Sequence, residues 1–177
     1  MEPVSGQEAA ARLTGMISPK YQVHGYAIDL TAKQIYGLDP SGQVDFGGTE
    51  YSPSARVPVA SLRRNREDKY EWWDLARGAY IVEFNENLAL APNEFAIVEP
   101  DERLVRCGAF HGTTFLRGQG ERLETLLMVG TLSVLIKQNA RVSRVRVFRF
   151  GAPPAVAAAA AGKSGAKKPA KKSSSRR

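Results

Sequence analysis

The chain has 177 residues, of which 43% are hydrophobic. This is enough apolar material for the core of one domain, and it excludes a chain that is disordered along most of its length. Its formal charge of +7 is unevenly distributed, because seven of the 25 basic residues and none of the 18 acidic ones lie in residues 152–177. The preceding residues therefore carry equal numbers of both signs. The basic isoelectric point describes the C-terminal segment alone and does not indicate a nucleic-acid-binding surface on the rest.

Cys107 is the single cysteine, so no intrachain disulfide can form. The absence of a disulfide is consistent with a protein of a reducing compartment. No apolar run reaches the length of about 18 residues that would span a bilayer. The first residues lack the charged and then apolar pattern of a signal peptide. We expect a cytoplasmic protein without a membrane partner.

The first predicted element is a short helix, because Ser5 can cap it and Glu8 completes a capping box. After Pro19, short apolar segments alternate with Gly, Pro, Asn and Asp, which is typical of a mostly β protein. Asn85–Asn87 is interpreted as a turn, and residues 38–70 as a long excursion at one end of the domain. The predicted strands are residues 26–30, 79–84, 88–90, 94–98, 132–136 and 142–150.

The last predicted strand changes its pattern near its end. Arg144 and Arg146 alternate with two valines, but Phe148 interrupts the alternation, which indicates a bulge. Many short strands without long helical periodicity favour a sandwich, jelly roll or barrel. The predicted domain covers residues 1–151, and residues 152–177 form a disordered tail, because their Ala, Lys and Ser cannot build a core. Seven cations without an aromatic side chain predict a weak, sequence-independent contact with nucleic acid, and the alternative is a tail that only aids solubility.

Four segments, in the right order, resemble the dCTP deaminase and dUTPase superfamily. Residues 24–30 resemble its early Gly-x-x-Ile-Asp-Leu strand, and residues 90–104 its Leu-x-Pro-Gly-Glu-Phe strand with the acidic residue that follows. Residues 112–118 stand where the family carries its phosphate-binding Arg-Ser-Ser-Leu-x-Arg-x-Gly stretch. Residues 136–148 are similar to the closing Pro-Gly-x-Arg-Ile-Ala-Gln-Leu strand. The resemblance covers about residues 5–150.

The resemblance implies a distorted β-barrel of jelly-roll type with a short N-terminal helix, assembled as a homotrimer. It also implies active sites between subunits that bind a pyrimidine deoxynucleoside triphosphate carrying Mg²⁺. In the deaminase branch a glutamate activates water without zinc, and in the dUTPase branch an aspartate does so at the α-phosphate. Zinc-dependent deamination is excluded from the residues themselves, because two histidines and one cysteine cannot supply its ligands.

The chain departs from the family pattern at the phosphate-binding stretch. Gly112 replaces the first arginine, while Thr113 and Thr114 replace the two serines. The family's following loop, which contains an aspartate, has no counterpart, since Gly118 leads almost directly into the next strand. These hydroxyls and the backbone N–H groups near Gly112 can still cradle phosphate oxygens, and Arg117 can neutralise their charge.

Two further residues complete the candidate site. His111 can replace the missing arginine as a phosphate donor, or it can be a fully hydrogen-bonded histidine at a strand end. Glu124 is the only acid in the strand where the catalytic glutamate of the deaminase branch would lie. Strand alternation puts Glu124 on one face with Leu126 and Met128, and the alternative for it is a solvent-facing role. The alternative for Arg117 is a surface ion pair.

The sequence leaves two hypotheses for function. The first is an enzyme of deoxynucleotide metabolism that hydrolyses a pyrimidine deoxynucleoside triphosphate, with deamination of dCTP slightly favoured over pyrophosphate release from dUTP. The second is a catalytically silent barrel of the same fold that binds nucleotides or acts as a scaffold, tethered to nucleic acid by its tail. The missing aspartate-containing loop supports the second hypothesis.

Overall fold

The computed structural model describes residues 1–39 and 42–151, with the backbone alone at residues 119–121, so the predicted tail lies outside the described residues. The elements in chain order are β1 (Glu2–Pro3), α1 (Gly6–Ala9) with a 3₁₀ turn (Ala10–Arg12), β2 (Leu13–Thr14), α2 (Pro19–Gln22), β3 (Val23–His24), β4 (Ala27–Asp39), β5 (Ala55–Pro58), β6 (Trp72–Ala89), β7 (Glu94–Pro100), α3 (Glu102–Arg106), β8 (Ala109–His111), β9 (Thr114–Leu116), β10 (Gln119–Lys137) and β11 (Arg141–Arg149).

The strands form one curled sheet, which confirms the predicted mostly-β, barrel-like fold class. The strand order along the sheet is β8-β10-β6-β4-β11-β7-β9, and every pair is antiparallel. β4 joins the two halves, because its first residues pair with β11 and its later residues pair with β6. None of the helices among the described residues is long and apolar enough to cross a membrane.

The concave side of the sheet holds the core. Alternation puts Leu123, Leu127 and Val129 of β10 inside, together with Val145 and Val147 of β11. Trp73 belongs to this core and is fully buried. The predicted N-terminal helix is confirmed, and the Ser5 hydroxyl accepts a hydrogen bond from the Glu8 N–H at 3.2 Å.

The predicted turn at Asn85–Asn87 is wrong, because β6 runs through it without a break. Glu86 is fully buried, and its carboxylate accepts hydrogen bonds from the Thr31 N–H at 2.8 Å, the Thr31 hydroxyl at 2.7 Å and the Gln22 amide at 2.7 Å. The Asn85 amide donates to the Thr31 hydroxyl at 2.9 Å. These polar side chains connect β6 to β4 and α2, and burial raises the pKa of Glu86.

The bulge predicted at Phe148 is also absent. β11 pairs with β7 in unbroken register from Ser143 to Arg149, so Phe148 points outward like Arg144 and Arg146 before it. Outward strand positions are usually polar, and an aromatic residue at such a position interrupts the alternation in the sequence without a bulge in the strand. β11 instead carries an aromatic side chain on its outer face.

Candidate functional site

The predicted phosphate-binding residues lie where the chain passes from one half of the sheet to the other. β8 pairs with β10, whereas β9 pairs with β7, so the connection between them crosses the open side of the curled sheet. Gly112 and Thr113 form this connection and are exposed, and Thr114 begins β9. Gly112 and Thr113 therefore lie at the surface outside the paired strands, where a ligand can reach them.

His111 holds the start of this connection rather than facing solvent. Its side chain is buried, with Nδ1 2.8 Å from the Gly112 carbonyl oxygen and Nε2 2.8 Å from the Ser143 hydroxyl. A carbonyl can only accept, so Nδ1 carries the proton and Nε2 accepts from Ser143. Burial lowers the pKa of His111, outweighing the opposite effect of the Gly112 carbonyl. His111 is thus arranged as a neutral histidine that fixes the position of Gly112.

Glu124 lies beside this connection on the outer face of β10. A cleft of about 390 Å³ is bounded by Gly112, Thr114 and Glu124, three of the residues proposed from sequence. The apolar part of its wall is formed by Ile81, Leu126 and Met128, and Thr125 completes it. The volume falls within the range of small-molecule sites, about 300–1,000 Å³, and the mixture of apolar walls with a few polar groups is typical of them.

The Glu124 carboxylate is engaged by a residue that the sequence did not reveal. Arg56 of β5 donates from both terminal nitrogens, with Nη1 2.5 Å from Oε2 and Nη2 2.6 Å from Oε1. This bidentate pair fixes the orientation of the carboxylate and raises the pKa of Arg56. No sequence signal could have identified Arg56, because it belongs to the stretch of residues 38–70 that has no periodicity.

A buried carboxylate lies directly across from Glu124. Glu83 of β6 is in register with it and is nearly inaccessible to solvent. Lys33 Nζ lies 2.9 Å from Glu83 Oε1, and Arg122 Nε lies 3.0 Å from the same oxygen. The outer face of β6 and β10 thus combines two carboxylates with the three cations that balance them.

Arg117 lies outside the cleft. Its guanidinium stands over the Phe150 ring at 5.5 Å from the centroid, on the half of the sheet that contains β9 and β11. The structure therefore brings Gly112, Thr114 and Glu124 together around the cleft, with Thr113 between the first two. It turns His111 inward and leaves Arg117 apart.

The described residues do not build a metal site of their own. They contain no group of three or more His, Cys, Asp or Glu side chains placed to hold a metal ion, and Glu124 is the one acid in the wall of the cleft. Mg²⁺ often takes only one or two carboxylates and otherwise binds water and substrate phosphates. This donor set therefore fits a magnesium ion that enters bound to a triphosphate.

No protein-family model matches the chain. A probable deoxyuridine 5'-triphosphate nucleotidohydrolase of Methanosarcina barkeri is 30% identical over 148 residues, which cover 82% of this chain and 83% of that protein. A protein of the same description from Methanosarcina acetivorans is 31% identical over 135 residues, or 75% of each chain.

Among solved structures, the crystal structure of 2'-deoxycytidine 5'-triphosphate deaminase from Agrobacterium tumefaciens superposes with a TM-score of 0.61 and 17% identity. The match covers 85% of this chain and 48% of the deaminase chain, so this chain spans about half the length of that protein. At this identity the likeness concerns the fold alone.

Proposed function

Because the chain belongs to the dCTP deaminase and dUTPase superfamily, we propose that it hydrolyses a pyrimidine deoxynucleoside triphosphate in the cleft beside Glu124. The names of the sequence relatives favour dUTP. In that reaction water attacks the α-phosphorus and dUMP and pyrophosphate are released. Deamination of dCTP, which the sequence motifs slightly favoured, is the second form of the proposal; there water adds to the ring carbon that carries the amino group, and ammonia leaves.

One observation supports this proposal above all others. Gly112 and Thr114 border the same cleft as Glu124, although at least nine positions of sequence separate them from it. Hydroxyl and backbone donors suit phosphate oxygens, a carboxylate suits a water molecule, and Ile81 and Leu126 offer an apolar wall to a pyrimidine. The proposed roles are phosphate binding for Gly112, Thr113 and Thr114, and proton acceptance from water for Glu124.

Magnesium would enter with the triphosphate as part of the substrate. Bound to phosphate oxygens, it would offset their charge, and the chain's own residues would position the base and the water. Arg56 would orient the Glu124 carboxylate, since it holds both oxygens. His111 would keep Gly112 in place through its hydrogen bond to the Gly112 carbonyl.

A homotrimer is part of the proposal. The outer face of the β6-β10-β8 region exposes Phe110, Leu126 and Met128 next to the cleft. Apolar side chains clustered on an exposed sheet face are typical of protein contacts. We propose that a second copy covers this face and closes the cleft, and that Arg117 contacts phosphate only across such a subunit boundary.

The silent binding module stays the second candidate, and a specific observation favours it. Both carboxylate oxygens of Glu124 accept hydrogen bonds from Arg56, which leaves fewer lone pairs for a water molecule. In such a module the cleft would bind the nucleotide without turnover.

The deciding experiment incubates the purified protein with dUTP and, separately, with dCTP in the presence of Mg²⁺. We expect dUMP and pyrophosphate from dUTP, or dUTP and ammonia from dCTP. Calorimetry under the same conditions measures binding, and the variant Glu124→Gln identifies contaminating activity. Nucleotide binding without any product would support the silent module, whereas absence of both binding and product would refute the cleft as a nucleotide site.

A further inference from the structure

A cleft of about 360 Å³ runs along one edge of β10. Four consecutive residues of this strand, residues 134–137, line the cleft. Because successive side chains of a strand point to opposite faces, a cleft that touches four in a row lies along the edge of the strand and not on one face. Leu104 and Cys107, in and just after α3, and Val142 of β11 also line it. This cleft is called the edge groove below, and it shares no residue with the cleft beside Glu124.

The edge of β10 that borders the groove has no neighbouring strand there. β8 pairs with this edge only at residues 127–129, and no other strand among the described residues continues the pairing toward residue 137. β6 occupies the opposite edge at residues 133–137. An unpaired edge presents a row of N–H and C=O groups to which another extended chain can hydrogen-bond.

The backbone of Leu135 points toward the edge groove. Trp72 of β6 exchanges two hydrogen bonds of 2.9 Å with Leu62, on its side away from β10, so it does not bond to Lys137, its partner in β10. Such positions alternate in an antiparallel pair, so Leu135, two positions earlier, also turns its N–H and C=O away from β6. The Lys137 carbonyl accepts from the Ala140 N–H at 3.0 Å, whereas no described residue bonds to Leu135 on that side.

The wall of the edge groove contains three cations and, among the described residues, no acid. The cations are Arg103 of α3, Lys137 at the end of β10 and Arg141 at the start of β11. Carboxylate oxygens lie 2.8 Å, 3.4 Å and 3.1 Å from their nitrogens, in that order. These ion pairs leave donors unused, because Arg103 bonds through Nε alone and Arg141 through Nη1 alone. The remaining guanidinium nitrogens of both arginines can donate to another carboxylate.

The two carboxylates that pair with these arginines are buried and outnumbered. Asp29 and Asp101 are 1% and 2% exposed. Arg144 donates to both of them as well, at 3.2 Å and 3.1 Å. Two carboxylates are thus shared by three arginines, which leaves one positive charge in excess beside the groove. A negatively charged ligand would meet guanidinium groups there and not the buried acids.

We propose that the edge groove binds an extended acidic segment of another protein, which adds as a strand to the edge of β10. The segment's backbone would bond to the N–H and C=O of Leu135. Its apolar side chains would contact Leu104 and Val142, and its acidic side chains would bond to Arg103 and Arg141. Strand addition takes its affinity from main-chain hydrogen bonds and its specificity from pockets for alternate side chains.

Charge argues against the chain's own segments as the occupant. Residues 152–177 carry seven cations and no acid, so the edge groove repels them. They also follow the end of β11, whereas the groove lies at the start of that nine-residue strand. A symmetric contact between two copies would place the three cations of each groove on one interface. An acidic segment instead attracts all three.

The test measures the fluorescence anisotropy of a labelled nine-residue peptide of alternating glutamate and valine, titrated with the full chain. One control peptide has lysine in place of glutamate. The other keeps the glutamates but has N-methylated amides, so its charge is unchanged while it cannot pair as a strand. We expect the acidic peptide to bind about tenfold more tightly than its N-methylated form, since about two backbone hydrogen bonds are lost, and the lysine peptide not to bind.

The backbone contact is tested with Leu135→Pro, which removes the N–H that faces the groove and keeps the hydrogen bonds to β6. Proline is tolerated at such edge positions. We expect at least about fivefold weaker binding of the acidic peptide. Leu132→Pro is the matched control, because Leu132 is an exposed leucine of the same strand outside the groove wall, and it should bind like the parent.

The charge contact is tested with Arg103→Gln, which should weaken binding by up to about fivefold. Arg106→Gln is its control, since Arg106 is also an exposed arginine of α3 with a carboxylate partner but does not line the groove. Circular dichroism measures folding of each variant. The N-methylated peptide is tested on the parent chain, so that comparison decides even if Leu135→Pro does not fold.

Three outcomes would overturn the proposal. Absence of binding, or equal affinity for the acidic peptide and its N-methylated form, would exclude strand addition and leave only attraction between opposite charges. Equal affinity of the parent and a folded Leu135→Pro variant would place the peptide elsewhere. A smaller assembly of Leu135→Pro in light scattering, with peptide binding retained, would identify this edge as a contact between copies of the chain.

Discussion

Glu83 and Glu124 stand directly opposite one another on neighbouring strands; Lys33 and Arg122 balance the first, and Arg56 balances the second. Two like charges in this position destabilise a sheet unless they are paired. Burial alone would raise the pKa of Glu83, but hydrogen bonds from Lys33 and Tyr36 outweigh it and lower that pKa. Glu83 therefore stays ionised at neutral pH, whereas Glu124 is the one of the two that lines the cleft.

We predict that Glu124→Gln lowers turnover of the triphosphate by about 10²- to 10⁴-fold, the usual contribution of a general base. Steady-state kinetics measures kcat, and calorimetry measures nucleotide affinity, which should change little. The control is Glu102→Gln, because Glu102 also forms an ion pair with an arginine, Arg106 at 2.5 Å, but belongs to α3 and is not part of the cleft wall. An unchanged kcat in Glu124→Gln would remove Glu124 from the mechanism.

Arg117→Ala should weaken triphosphate binding while leaving the free energy of unfolding almost unchanged. An arginine paired to phosphate contributes about 1.5–3 kcal/mol, which corresponds to roughly ten- to a hundredfold in affinity. The side chain is exposed, so little folding energy depends on it. Nucleotide affinity equal to the parent, with stability lost, would instead assign Arg117 a structural role over Phe150.

The protein should sediment and scatter light as a homotrimer at micromolar concentration. Leu126→Lys places a charge on the outer face beside the cleft and should shift the mass toward the monomer. Leu132→Lys is the matched control, since Leu132 is also an exposed leucine of β10 but lies beyond the register shift that follows Val129. A parent protein of monomer mass would refute a cleft closed by a second subunit.

Glu94 should make the fold sensitive to acid. Its buried carboxylate accepts hydrogen bonds from Arg12 at 2.9 Å, from Arg149 at 2.9 Å and from the Ala91 N–H at 3.1 Å. The Arg12 hydrogen bond is the main cause that lowers the pKa of Glu94 from 4.5 to about 2. The folded state thus gains stability, about 3 kcal/mol at most, that is fully present above pH 4.5 and is lost as the pH falls toward 2.

Urea denaturation at pH 7 and pH 3 tests this. Glu94→Gln should lower the free energy of unfolding at pH 7 by about 2–3 kcal/mol and should differ less from the parent at pH 3. Glu99→Gln on the same strand is the control, because its ion pair with Arg146 is partly exposed and should contribute less than about 1 kcal/mol. Equal loss for both variants at both pH values would contradict the prediction.

The sequence predicted the fold class because apolar alternation and turn residues report directly on strands. It failed at Asn85–Asn87, where three polar residues have the composition of a turn. Such residues can form a turn, or they can be buried in a strand if other residues hydrogen-bond to them. Here the hydrogen-bond partners are Thr31 and Gln22, which are distant in sequence. Local patterns contain no information about those partners.

The candidate site shows the same division. Family motifs indicated Glu124 and the connection at Gly112, which the fold brings to one cleft. The sequence could not reveal that Arg56 holds Glu124, since the two lie 68 positions apart. Nor could it decide between the two roles left open for His111. The choice depends on whether the imidazole is buried against the Ser143 hydroxyl, and the sequence does not show this contact.

β4 has a consequence for how the protein unfolds. Residues 28–31 of this single strand hydrogen-bond to β11, and residues 32–37 hydrogen-bond to β6. Neither half of the sheet can detach while the other stays intact, because the strand they share would lose its hydrogen bonds to one neighbour. Detachment would also expose Leu30 and Ile35, which are fully buried. We therefore expect melting to be a single cooperative event, in which the paired amides of residues 28–35 exchange with solvent only when the whole domain opens.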